Sequence, residues 1–292
     1  MTDARTLTIS LCGKWHGRYG AAPCPVCQPD RRKGQDALTL TDGASGLLAH
    51  CKKSDCAFRD ILAAAGFASG GFTLPDATAQ REAERQRRAE AAKRAAQALR
   101  LWQEAQLISG TAAERYLRGR GITCTLPDTL RFAPSCWHAA AQRFPAMVAL
   151  VEGAEAFALH RTYLHPEGLG KAAVEPAKAM LGGCAGGAVR LTEGLGQLLV
   201  AEGIETALSL ASGLLRAPAT IWAALSTSGI RGLHLPPQPD RLTIAPDGDK
   251  AGRDAAHALA TRAHGLGWKV SLLPAPQGGD WNDVLQGKAV MA

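Results

Sequence analysis

The chain has 292 residues, a formal net charge of +7 at neutral pH and only 5% aromatic residues. That length allows two domains with cores of their own, and no run of eighteen apolar residues offers a membrane span. The basic balance, with a pI near 9.1, favours a polyanionic partner, while the scarcity of aromatics argues against a dedicated base-stacking platform.

The N-terminus, MTDARTLTIS, lacks a basic region followed by an apolar core. No secretory signal is read there, and a cytoplasmic location is expected. Cys24 and Cys27 then form C-P-V-C, and Cys51 and Cys56 form C-K-K-S-D-C. In a reducing compartment, two close pairs across a loop predict a tetrahedral structural Zn²⁺ site rather than disulfides. Between the pairs, Ala37–Leu40 and Gly46–His50 have the short strand character of a zinc-ribbon hairpin. The second pair is wider than the commonest spacing, so His16 and His50 stand as competing ligands. Lys14, Arg18, Arg31, Arg32, Lys33, Lys52 and Lys53 crowd this module, with Trp15, His16 and Tyr19 beside them. Two readings stay open: the rings meet the bases of a single-stranded template, or Trp15 and Tyr19 cover a small core.

From Ala68 to Asp76 the composition turns to Gly, Ser, Phe and Pro, which marks a boundary. Ala79–Leu107 is rich in strong helix formers and reads as one long helix. Its first half carries no apolar stripe beyond alanine and reads as a solvated connector. Its end, through Leu99, Leu101, Trp102, Ala105 and Leu107, is expected to dock on the next domain. Thr111–Arg120 opens a further helix with a capping box from Thr111 to Glu114. Ala146–Glu152 and Ala156–Leu164 read as adjacent strands joined at Gly153, and Ala188–Leu191 as another. Cations on this stretch, Arg161, Lys171 and Lys178, suit phosphate binding as well as an ordinary solvated surface.

Two strand-to-helix elements follow. Leu198–Ala201 is a continuous apolar run ending at Glu202 and Gly203, with helical spacing beyond through Ile204, Ala207, Leu208 and Leu210. Leu242–Ala245 delivers Asp247 and Asp249 before a second helix opens. Carboxylates at the ends of neighbouring strands make a site for a hard divalent cation such as Mg²⁺. Gly248, between the two aspartates, lets backbone or phosphate approach closely.

The E-G-x-E-T-A-L and A-x-D-x-D-x-A-G-R elements resemble the Toprim domain shared by primases, topoisomerases, some nucleases and a recombination mediator. The resemblance implies Glu202 in acid–base chemistry or metal binding, and Asp247 and Asp249 as Mg²⁺ ligands. Across the whole chain, the order of zinc ribbon, basic linker, small α/β subdomain and Toprim resembles bacterial and phage DNA primases. That resemblance implies nucleotide binding by Arg161 and Lys178, and it places Asp280 of GDWNDVL close to the metal. Gly279 stands where the family's related element has a lysine.

The expected fold is α+β: a zinc ribbon over 1–68, a helical linker over 69–110, a subdomain of the primase core over 111–190 and a Rossmann-like Toprim domain over 191–292. The expected activity is Mg²⁺-dependent synthesis of short RNA primers from ribonucleoside triphosphates on single-stranded DNA. No G-x-x-x-x-G-K-[ST] loop occurs, so unwinding is expected from a separate replicative helicase. A Toprim nuclease and a catalytically silent DNA-binding replication accessory protein are the alternatives.

Overall fold

Asp3 starts the first helix in the computed structural model, which describes residues 3–32, 34–43, 46–67, 77–194 and 196–288. The chain divides into two compact units, Met1–Arg87 and Arg88–Ala292. The boundary read at Ala68–Asp76 and the basic residue Lys33 lie outside the described residues.

In the first unit, α1 (Ala4–Ser10), on a segment to which the sequence reading assigns no element, begins where the Asp3 carboxylate accepts the Thr6 N–H at 2.6 Å. The strands β1 (Lys14–Trp15), β2 (Gly20–Ala22), β3 (Leu38–Gly43) and β4 (Gly46–Cys51) pair antiparallel in that order, and α2 (Phe58–Ala64) follows. Leu7, Leu11, Leu38, Leu40, Leu47 and Ile61 form the core. Trp15 packs half-buried against it, whereas Tyr19 stays exposed and stacks on His16 at 5.0 Å. One ring therefore covers the core and the other faces solvent.

The long helix α3 runs Ala77–Glu104 and stops short of the expected end. Gln106–Leu107 instead forms β5, because its backbone pairs with β6 (Leu130–His138). The helix end packs through Ala98, Leu101, Trp102 and Ala105, spaced three and four apart, while Leu99 and Leu107 remain exposed. The docking face was thus expected in the right place with two wrong members.

In the second unit, α4 (Ala112–Gly119) has Thr111 as its N-cap. Only half of the expected box forms, since the Glu114 carboxylate accepts from the Gly110 N–H instead. An antiparallel sheet follows, β5-β6-β7-β8-β9, with β7 at Gln142–Val151, β8 at Ala158–Tyr163 and β9 at Lys178–Leu181. The second sheet comprises β10 (Val189–Thr192), β11 (Leu198–Ala201), β12 (Thr220–Ala223), β13 (Arg241–Ala245) and β14 (Lys269–Leu272), in the order β10-β12-β11-β13-β14. Its last four members run parallel and β10 antiparallel. The helices α5 (Ile204–Ser209), α6 (Thr227–Gly232), α7 (Lys250–Gly265) and α8 (Trp281–Leu285) connect and flank it.

One continuous core joins the two sheets of this unit: Leu130, Met147 and Ala149 pack with Leu199, Ile204, Leu208 and Ile221. All four residues of β11 are buried, as a central parallel strand covered on both faces requires. From β11 the next strand lies on one side and β13 on the other. The carboxyl ends of β11 and β13 therefore flank a topological switch point, where a crevice opens above an α/β sheet. Among the described residues, no helix is long and apolar enough to cross a membrane.

Candidate functional site

Two clusters of potential ligands stand out, one in each unit. In the first, the sulfurs of Cys24, Cys27, Cys51 and Cys56 all lie within 4.8 Å of one another, with Cys27 and Cys51 at 3.5 Å. A tetrahedral Zn²⁺ with bonds of about 2.3 Å spaces its sulfurs about 3.8 Å apart, so the four thiols fit that ion. Backbone turns build the arrangement. The Gln28 N–H donates to the Cys24 carbonyl at 2.8 Å, and the Asp55 N–H to the Cys51 carbonyl at 3.1 Å. The buried Gln28 side chain accepts from the Cys24 and Ala37 N–H groups at 3.1 and 3.2 Å, tying the first turn to the start of β3. Burial raises the Cys51 thiol, but the N–H groups of Ser54, Cys56 and Lys53 outweigh it and bring the group down to about 6. Burial and the neighbouring thiols push Cys56 up to about 12. A shared cation removes that conflict by holding all four as thiolates. Among the described residues this is the one such group, and His16 and His50 are not in it. His50 instead lies exposed, 3.8 Å from Asp55.

In the second unit, Glu202 follows β11 directly, and Asp247 follows β13 by two residues. Asp249 caps α7, accepting the Gly252 N–H at 2.6 Å. Gly248 lets the 276–279 loop close over the strand end: its N–H donates to the Gly279 carbonyl at 2.9 Å, and a Cβ there would strike the Pro276 carbonyl. That loop delivers Asp280, which caps α8 in a reciprocal box with Asp283. Burial, then the charges of Asp247 and Asp249, push Glu202 up to about 7. Burial, then Asp280, push Asp247 up to about 6. The four carboxylates share one field, yet no three of them close to the spacing of the thiols. Excess negative charge on oxygen donors fits a hard divalent cation that keeps waters or phosphate oxygens among its ligands.

Cations face this cluster. Lys178 on β9 opposes the upward shifts of both Glu202 and Asp247. Desolvation and the neighbouring Lys178 hold Lys171 below the usual lysine range, with Asp280 also in its field. Arg161 is placed differently. In the β8–β9 ladder Lys178 pairs with Thr162, the next residue along, so Arg161 falls on the other face of the sheet. Its guanidinium donates to the Trp137 and Met180 carbonyls at 3.2 and 3.1 Å and lies over the Tyr163 ring.

Several buried polar neighbours of the cluster escaped the sequence reading. Glu205 on α5 is buried, accepting from the Tyr116 hydroxyl at 2.7 Å and from Lys178 Nζ at 2.9 Å. Burial opposes its ionisation, but Lys178, Lys171 and Tyr116 together hold it well below the usual carboxylate range. A lone charge inside the otherwise uncharged IETALSLA run was the available signal. His160, buried on β8, is lowered to about 4 by burial and then by Lys178, and its Nδ1 has no partner. Asn282 is buried as well; its amide donates to the Arg120 carbonyl and to Ser209 Oγ, both at 2.9 Å, which anchors α8.

Residues 197–289 match the Toprim domain, and residues 92–191 match a domain of unknown function, DUF7146. No curated protein matches the sequence. Solved structures similar to the chain include a DNA primase domain from Pseudomonas aeruginosa, with 20% identity, 62% of this chain and 69% of that one covered, and a TM-score of 0.36. The zinc-binding and RNA polymerase domains of the Aquifex aeolicus primase match at 13% identity, over 98% of this chain and 83% of that one, with a TM-score of 0.41. The RNA polymerase domain of Mycobacterium tuberculosis primase DnaG matches at 17% identity, over 66% and 77%, with a TM-score of 0.38. At this distance the chemistry has to be argued from the residues themselves.

Proposed function

We propose that the chain is a DNA primase, joining ribonucleoside triphosphates on single-stranded DNA. The observation that carries this reading is a Toprim carboxylate cluster at a sheet switch point, faced by Lys171 and Lys178, in a chain that also gathers four thiols. The thiols would hold Zn²⁺ as a structural ion in a template-binding module, exposing Tyr19 and the nearby cations to nucleic acid. Asp247 and Asp249, with Asp280 beside them, would hold Mg²⁺, which supplies charge neutralisation on phosphate oxygens when bound. The domains would follow the order given by sequence, with 1–68 meeting template and 191–292 carrying the chemistry.

In the reaction, the 3′-hydroxyl of one nucleotide attacks the α-phosphate of the next and pyrophosphate leaves. Lys178 and Lys171 bind and orient the triphosphate. Glu202, with a carboxyl near 7 before any cation binds, is suited to accept the proton of the attacking hydroxyl. Arg161 is committed to two carbonyls, so its part is to stiffen the β8–β9 edge that carries Lys178. A separate helicase would supply single-stranded template, and the cytoplasm would be the setting.

The test incubates the chain with Mg²⁺, labelled ribonucleotides and mixed-sequence single-stranded DNA beside an Asp247→Asn control. Short template-dependent oligoribonucleotides are expected from the wild type, with a loss of about a thousandfold or more in the control. An intact template without product would move the chain to a DNA-binding accessory role. A degraded template would make it a nuclease.

A further inference from the structure

Glu205 takes no part in the chemistry above, yet it is the most deeply held charge near the site. It lies one helical turn beyond Glu202, with only 5% of its surface exposed. Both carboxylate oxygens are engaged, Oε1 by the Tyr116 hydroxyl and Oε2 by Lys178 Nζ. These contacts link α4, β9 and α5. A brace between three elements does not need charge, because a well-packed apolar pair of the same size serves at lower desolvation cost.

The lysine end of the pair is not buried. The Lys178 side chain keeps 36% of its surface exposed, and its charge reaches Glu202 and Asp247. An ammonium has three donors on a flexible stem, and Glu205 occupies one of them from below. The remaining donors are thereby held at the rim of the carboxylate cluster. His160, buried on the same face of β8 and β9, is kept from charging by its burial and by Lys178, so it adds no competing cation.

We infer that Glu205 is a positioning residue for triphosphate binding: its buried carboxylate fixes the Lys178 ammonium at the rim of the site. This rests on reading Lys178 as a triphosphate ligand. A free lysine stem would have to be ordered each time nucleotide binds, whereas the Glu205 contact orders it beforehand.

The experiment measures the dissociation constant of Mg·ATP by calorimetry on the full chain, without any assay of synthesis. Lys178→Met and Glu205→Gln are each expected to weaken binding by about tenfold, the scale of one charge-assisted contact. The double variant should bind no more weakly than Lys178→Met, since Glu205 acts only through that lysine. Tyr116→Phe leaves the ion pair in place and should lower the melting temperature with affinity kept within about threefold. Should Glu205→Gln fail to fold, Glu205→Asp replaces it, keeping the charge but drawing it back from Lys178. Wild-type affinity in the Glu205 variant, or further weakening on the Lys178→Met background, would overturn the inference and leave Glu205 a brace. No Mg·ATP binding by the wild type would overturn the nucleotide-site reading itself, and the inference with it.

Discussion

The four thiols of the first unit and the four carboxylates of the second are both candidate metal ligands, and they are built on opposite plans. The thiols come from two tight turns whose carbonyls and N–H groups are bonded locally, and their sulfurs already sit within 4.8 Å of one another. The carboxylates come from the ends of two strands and the start of a third segment, and they stay farther apart. A closed tetrahedral site contributes to folding and gains from having every ligand in place. An open oxygen site has to leave room for phosphate and water. Burial first, and the neighbouring carboxylates after it, hold two of these carboxyl groups near 6 and 7.

The largest expected effect lies on the thiol side. Cys51→Ser, or a strong chelator, should abolish zinc binding measured by atomic emission and unfold the first unit. Its core is small, and a structural Zn²⁺ contributes on the order of 10 kcal/mol to such modules. The Toprim-bearing unit should keep its own melting transition; full zinc content in the variant would break the contrast.

The carboxylate side should answer to pH and Mg²⁺ together. Glu202 and Asp247 are raised above their ordinary 4.5 and 3.8, so their contribution to stability is present at low pH and lost as pH rises through about 6 and 7. His160, lowered from 6.5 to about 4, has the opposite slope: its contribution is present above 6.5 and lost on acidification. The Mg²⁺-induced rise in melting temperature cancels the histidine effect. It should be small at pH 5 and larger at pH 7.5, where the carboxylates are free to bind. An equal rise at both values would show that these groups do not hold the ion.

A smaller effect belongs to the anchor of α8. Asn282→Ala removes one buried and one part-buried hydrogen bond and should cost about 1–3 kcal/mol in denaturant unfolding of the second unit. Unchanged stability would mean that α8 holds Asp280 without that anchor. Smallest of all should be His16→Ala and His50→Ala, each leaving zinc stoichiometry at one per chain. Loss of zinc in either would return that histidine to the ligand set.

The two clusters also differed in how far they could be read from the chain. The thiol pairs are short-range motifs, and a turn spanning four or six residues places both sulfurs on one side whatever surrounds it. Leu198–Ala201 and Leu242–Ala245 were equally legible, because a buried parallel strand needs an unbroken apolar run. The nine-residue β6 was not read: its sequence, LRFAPSCWH, carries a proline and a register shift between Ala133 and Cys136 that blur its alternation. The end of α3 was misjudged because Gln106 and Leu107 answer to β6 across the sheet rather than to helix propensity.

By itself the sequence determined which residues are candidates for the chemistry: the thiol pairs, Glu202, the two aspartates and the lysines, each in a local pattern that one element can present. Only the tertiary structure decided which charges meet. Arg161 and Lys178 are both cations on adjacent strands, yet a ladder register of one residue sends them to opposite faces. Glu205 looked like one more polar residue in a helix until α4 and β9 closed over it and supplied Tyr116 and Lys178. The physical reason is range. Turns and strand runs are set by neighbours in the chain, whereas the field at a carboxylate is set by groups that folding brings from far along it.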